Sequence, residues 1–315
     1  MRPHKPPAYP TDWNLESFQP EVDRPLPIDP NAISEHLVDL ARHFRSLLPG
    51  SERVEEGTLE VIGERPVDAG GVADVWVGRM GNRKIAIKAY RYNSSSNYLS
   101  TFVVSSAYLR RVIYSLRAYW QRFYKEALTC SRLKGQSTVP FIGVYTTPKR
   151  PLTLVFEFMD HLNLREYLRK NDDAGRSELV RFCCHIRCSS YQHLRSQCQL
   201  LEIARGVKSV HELNIIHRNL KIVRSPTPRA GRALTFIQTN ILIDSGGHAR
   251  IAGLGAALLP PAASGVDIDR FFHGAAPELV DPQRFRLPNT EPTTASDVYA
   301  FGVLAWEVSG GQFFP

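Results

Sequence analysis

The stretch Val67-Asp68-Ala69-Gly70-Gly71-Val72-Ala73-Asp74-Val75, followed by Ile85-Ala86-Ile87-Lys88, decides the fold. Just upstream, Leu59-Glu60-Val61-Ile62 is short and strand-like, and a turn at Arg79 to Asn82 separates Val72 to Val77 from Ile85 to Lys88. This pattern predicts antiparallel strands joined by glycine turns. A glycine turn alone specifies little, because hairpins need one anyway. A single Lys in a strand is by itself an ordinary solvated edge residue. Both gain weight from the order of motifs further along the chain.

Downstream, Arg122-Phe123-Tyr124-Lys125-Glu126-Ala127 is helical in pattern, and helical spacing dominates at Leu200 to Leu213 and Ala295 to Val308. Strands followed by helices predict an α+β chain of two lobes. Five more short motifs stand in order: His217-Arg218-Asn219-Leu220-Lys221, Asn240-Ile241-Leu242-Ile243, Ala252-Gly253-Leu254-Gly255, Ala276-Pro277-Glu278 and Asp297-Val298-Tyr299-Ala300-Phe301-Gly302. Together these elements resemble the protein kinase family, closest to its tyrosine-kinase-like group, from about residue 60 to the end.

The resemblance implies a bilobal protein-kinase-like fold with ATP held between the lobes. A β-rich N-lobe would span 59–158 and a mainly α-helical C-lobe 159–315. Lys88 would pair with the α/β-phosphates and with Glu126. Val75 and Ala86 would pack on adenine. Leu154 to Met159 resembles the hinge strand, with Phe156 as gatekeeper and the Glu157 and Met159 backbone facing adenine. Asn240 matches the catalytic-loop metal ligand. His217 and Asp297 match residues that brace the lower lobe, and Lys221 resembles the Ser/Thr-type loop.

The departures fall on the chemistry. The catalytic Asp position is Asn219, and a neutral amide cannot take a proton from a substrate hydroxyl. The metal-binding Asp position is Gly253, which has no ligand oxygen in its side chain. Of the glycine loop's three glycines only Gly70 remains, with Asp68 and Ala73 at the outer positions. These changes favour a pseudokinase, with ATP as the nucleotide and Mg2+ weak or absent, held mainly by Asn240. The sequence ends at Gln312-Phe313-Phe314-Pro315, soon after the helix at 295–308, so the resemblance predicts a C-lobe incomplete beyond it.

Two family spacings are also stretched. Lys88 to Glu126 is 38 residues and Asn219 to Asn240 is 21, where the family loop allows about five. Insertions at 103–121 and 223–238 account for both, and a third odd segment lies at 180–197. The last of the spacings predicts that Asn240 is uncoupled from the loop that should place it. The three segments hold nine Arg, no Lys and no acid, and each begins with Val and ends with Gln. Val codons start with GT and the Gln codon CAG ends with AG. These are the features of short introns translated in frame; lineage-specific loops are the alternative.

Composition narrows the remaining classes. The 315 residues are ample for a core, and 43% are hydrophobic. Net charge is +8, from 39 Lys and Arg against 31 Asp and Glu. Without the 53 residues of the three segments the count is 30 against 31, so the excess does not argue for a nucleic-acid partner. No stretch reaches the roughly 18 apolar residues of a membrane span, and no apolar signal core opens the chain. A cytoplasmic setting without a membrane partner is expected. Residues 1–32 read as a disordered Pro-rich leader and 33–50 as an amphipathic helix. Cys183, Cys184, Cys188 and Cys198 cluster but fit no common zinc spacing. Besides a catalytically impaired interaction module, two readings stay open: an active Ser/Thr-type kinase and a non-functional truncated product. A protein substrate or partner is expected, without a residue that names it.

Overall fold

The computed structural model describes residues 39, 42, 50–69, 73–91, 122–133, 135, 137–147, 150–161, 163–170, 191–220, 240–254, 274–287 and 292–308. The predicted leader at 1–32 and the segments 103–121 and 223–238 lie outside them. Within the predicted helix at 33–50, Asp39 and Arg42 are helical and pair at 3.6 Å.

Strands β1 (Leu59–Ile62), β2 (Asp68–Ala69), β3 (Ala73–Met80) and β4 (Arg83–Tyr90) follow one another as the alternation predicts. The β3–β4 turn is only Gly81-Asn82, because Met80 pairs with Arg83. Gly81 has φ +58°, the conformation a two-residue hairpin favours. Both strands therefore run longer than their apolar cores suggest. With β5 (Phe141–Thr147) and β6 (Arg150–Glu157) they form a six-stranded sheet, ordered β1-β3-β4-β6-β5 with β2 paired to β3.

Strand alternation divides this sheet into two faces. Ile85 and Ile87 turn to one side, where they are buried with Val54 and Val155. Ala86, Lys88 and Tyr90 turn to the other. There helix α1 (residues 122–132) lays Phe123, Tyr124, Ala127 and Leu128 against Tyr90, Val144, Leu152 and Leu154. These four residues recur at helical spacing and make one face. Tyr90 meets the Phe123 ring edge-on at 5.7 Å.

The second lobe holds α2 (Leu164–Lys170), α3 (Tyr191–Glu212), the hairpin β7 (Ile241–Ile243) and β8 (Ala249–Ile251), α4 (Pro277–Val280) and α5 (Thr294–Val308). Asn163 caps α2 by accepting the Glu166 N–H at 2.9 Å. Thr293 and Ser296 exchange hydrogen bonds at the start of α5, a reciprocal cap. Helix α3 starts at Tyr191, upstream of the periodic stretch Leu200 to Leu213, and so takes in the end of the segment 180–197. Leu164, Ile203, Val207, Ile241, Ile251 and Leu304 are buried together. The β7–β8 turn is held by Asp244, whose Oδ1 accepts the Gly246 and His248 N–H groups at 2.9 Å each. Glu202 of α3 clamps the same hairpin through Ala249 N and His248 Nδ1, both at 2.7 Å.

The sheet lobe reaches this hairpin through backbone. Val139 N donates to Ile251 O, and Ile251 N donates to Ser137 O, both at 2.9 Å. Leu254, just past β8, is buried with Cys130 of α1 and Leu133 just beyond it, with Phe141 and Phe156 packed against them.

Candidate functional site

Register places the N-lobe half of the site. Val75 pairs with Lys88 across β3–β4, and Ala86 pairs with Phe156 across β4–β6. Opposed residues share a face, so Val75, Ala86, Lys88 and Phe156 all lie on the α1 side of the sheet. Phe156 stacks obliquely on Phe141, centroids 5.5 Å apart. The Glu157 N–H donates to Pro140 O at 3.0 Å, and Met159 is buried.

Lys88 and Glu126 meet despite the 38 residues between them. Lys88 Nζ donates to both carboxylate oxygens of Glu126, at 2.6 and 2.8 Å. Glu126 is almost wholly buried, its side chain 2% exposed. The Tyr90 hydroxyl donates to Glu126 Oε2 as well. Burial pushes the Tyr90 phenol well up, and the Glu126 charge pushes it further. Tyr90 was missed by motif reading, yet it stands two residues beyond Lys88 in one strand. That spacing puts both on the same face and was the available signal.

The C-lobe half is built around Asp297, the fourth residue of α5. Its carboxylate is buried and accepts three hydrogen bonds. His217 N donates to Oδ2 at 2.7 Å, Arg218 N to Oδ1 at 2.8 Å, and His211 Nε2 lies 2.9 Å from Oδ2. Arg218 has φ +66°, a left-handed conformation these two backbone bonds hold in place. His217 is fully buried. Burial lowers its pKa, outweighing the Ala252 carbonyl and the Asp297 charge, which raise it. The neutral ring donates through Nε2 to Ala252 O at 2.9 Å and accepts the Asn219 N–H at Nδ1, at 3.3 Å. One imidazole thus ties the loop of Asn219 to the residue before Gly253. Lys125 of α1 is lowered by burial and by the Arg218 charge, so helix and loop face each other.

Asn240 is not uncoupled. Its Nδ2 donates to Asn219 O at 2.6 Å across the 21-residue separation. Lengthening a loop costs little entropy, and the β7–β8 hairpin fixes Asn240 from its other side: Ala252 N donates to Asn240 O at 2.8 Å. Gly70 and Lys221 lie outside the described residues.

These elements define a protein-kinase-like fold of two lobes, a β-sheet lobe with one helix and a helical lobe with a small hairpin. Residues 113–224 match the family model described as "Protein tyrosine and serine/threonine kinase". The "Probable serine/threonine-protein kinase PknB" of Lactococcus lactis is 22% identical over 251 residues, 79% of this chain and 31% of that protein. "Serine/threonine-protein kinase 12" of Arabidopsis thaliana is 25% identical over 197 residues, 61% of this chain and 34% of that protein. "Discoidin domain-containing receptor tyrosine kinase B" of Caenorhabditis elegans is 23% identical over 246 residues, 77% and 23% respectively. Residues 113–224 are thus similar to the protein kinase family, and serine/threonine kinases are among the relatives that the chain resembles at low identity. It spans about a third or less of the length of these relatives.

The family generally holds ATP with Mg2+. The donor set among the described residues does not fit that ion. Among the described residues no three His, Cys, Asp or Glu side chains come together to hold a metal. Gly253 offers no side-chain oxygen. The Asn240 amide lies where a Cβ on Gly253 would stand, its Oδ1 nearest. Mg2+ demands near-octahedral oxygen ligands, usually with one or two carboxylates.

Proposed function

We propose that this domain binds ATP between its lobes, is impaired in phosphoryl transfer, and acts as an interaction module toward a protein partner. The observation that carries the reading is the bidentate Lys88–Glu126 pair, formed in a chain whose catalytic position is Asn219. Lys88, 22% exposed, keeps its ammonium open toward phosphates while Glu126 holds it in place. Val75, Ala86 and Phe156 offer the adenine an apolar surface on the same face. Asn219 can orient a substrate hydroxyl but cannot take its proton, and loss of a general base costs about 10²- to 10⁴-fold in rate. Positioning supplies most of the rest of phosphoryl-transfer catalysis, and there is no carboxylate at residue 253 to help position the phosphates.

An active Ser/Thr-type kinase is the second reading, favoured by the inward Lys88–Glu126 pair and the serine/threonine kinase homologues. The nearly balanced charge outside the three Arg-rich segments supports a protein partner over nucleic acid. No helix among the described residues is long and apolar enough to cross a membrane. A cytoplasmic setting is part of this proposal. The test is a melting curve with and without ATP. A cooperative melt raised by ATP, and not raised in Lys88→Ala, is the expected result. A cooperative melt that ATP leaves unmoved removes nucleotide binding, and the lack of any cooperative melt favours a non-functional product.

A further inference from the structure

The cation is where this site departs furthest from its family, and the inference rests on the nucleotide-binding reading above. Gly253 sits at φ +77°. A Cβ there would collide with the Asn240 side-chain amide, at Oδ1 first and Cγ next. The amide has no slack to withdraw. Its Nδ2 is held by Asn219 O at 2.6 Å, and the Asn240 backbone is held by Ala252 N at 2.8 Å. Asn240 therefore spans from the Asn219 carbonyl to the bare Cα of Gly253. Its one candidate ligand oxygen is turned onto carbon, in space a side chain at 253 would fill.

Two losses reinforce each other. A carboxylate is missing at 253, and the amide that would share a cation with it has closed into the gap. Among the described residues, the Lys88 ammonium, fixed by Glu126 at 2.6 and 2.8 Å, is the site cation available to meet phosphate charge. We infer that this domain takes its nucleotide without a divalent cation, Lys88 supplying the charge and Asn240 serving as a strut between the Asn219 loop and Gly253. Asn240 is thus a positioning residue here and not a metal ligand.

The full chain is titrated with ATP carrying a methylanthraniloyl fluorophore, once in EDTA, once in millimolar Mg2+ and once in millimolar Mn2+. The three dissociation constants are expected to agree within about threefold. Binding that tightens about tenfold or more with either cation overturns the inference and leaves the nucleotide reading standing. Binding in no arm overturns both. In Lys88→Ala the signal is expected to vanish, and a signal that persists there marks contact elsewhere and counts against both. Asn240→Ala separates strut from ligand. A strut lowers the melting temperature and shifts all three arms alike, whereas a ligand weakens the cation arms alone and would sink the assignment.

Discussion

Glu126 is a buried carboxylate with two donors, the Lys88 ammonium and the Tyr90 hydroxyl. The two are unequal. Replacing Tyr90 by Phe removes one hydrogen bond and leaves the ion pair, at a cost of about 1 to 1.5 kcal/mol in urea unfolding. Lys88→Ala leaves a buried charge facing only a phenol and costs about 3 kcal/mol or more. The reverse order would refute this picture of the pair. Tyr90 also sets an alkaline limit. Its folded pKa is raised by burial and by Glu126, so its contribution is whole below the unfolded value. Above about pH 10 the unfolded chain gives up that proton and the folded one does not, so stability falls as pH rises. Tyr90→Phe should remove this part of the alkaline slope. At Gly253 the left-handed backbone alone makes Gly253→Ala cost about 1 to 2 kcal/mol. The collision with Asn240 adds to it. The double variant Gly253→Ala, Asn240→Ala should therefore be more stable than the sum of the singles. Additive losses would mean that the two residues do not touch.

Between elements, helix α5 acts on the catalytic-position loop through one side chain. Asp297 takes the N–H groups of His217 and Arg218 and the ring of His211. Asp297→Ala strands buried donors and is expected to cost about 3 kcal/mol, with faster amide exchange at His217 and Arg218. Unchanged protection at those two amides would contradict the bracing role. His217 carries a pH dependence of its own. Its folded pKa is depressed by burial, so the folded state favours the neutral ring. Below about pH 6.5 the unfolded chain binds the proton and the folded one resists it, so stability falls as pH falls. His217→Gln, though less stable throughout, should lose part of this acid slope between about pH 6.5 and 5. The groups facing the ring from other elements are Asp297, His211 and the Ala252 carbonyl. Of these only Asp297 and the carbonyl favour the charged form.

At the scale of the molecule, the two lobes were legible from the order of motifs, and β1 falls on the predicted Leu59 to Ile62. Lys88 and Glu126 were legible too, because residue types at family positions fix a pairing that loop length barely affects. Two things were not legible. The Tyr90 hydroxyl's partner depends on where α1 docks. The closure of Asn240 on Gly253 depends on a backbone angle and an absent Cβ, neither of which leaves a mark in hydrophobic periodicity. The expected uncoupling of Asn240 failed for the same reason: hairpin geometry places it, not its distance along the chain from Asn219. Apolar side chains also stand open on α5, with Val298 58% and Trp306 54% exposed. Val298→Ser and Trp306→Gln should leave the melting temperature nearly unchanged and reduce aggregation on concentration. The central claim is a site that holds nucleotide without using it. Transfer of labelled γ-phosphate from ATP to the chain itself and to a Ser/Thr-containing peptide, compared between the natural chain and Lys88→Ala at a nucleotide concentration that fills the site, tests this most directly. The predicted result is the same background in both proteins, in Mg2+ and in Mn2+. Phosphate transfer by the natural chain that Lys88→Ala abolishes would contradict it.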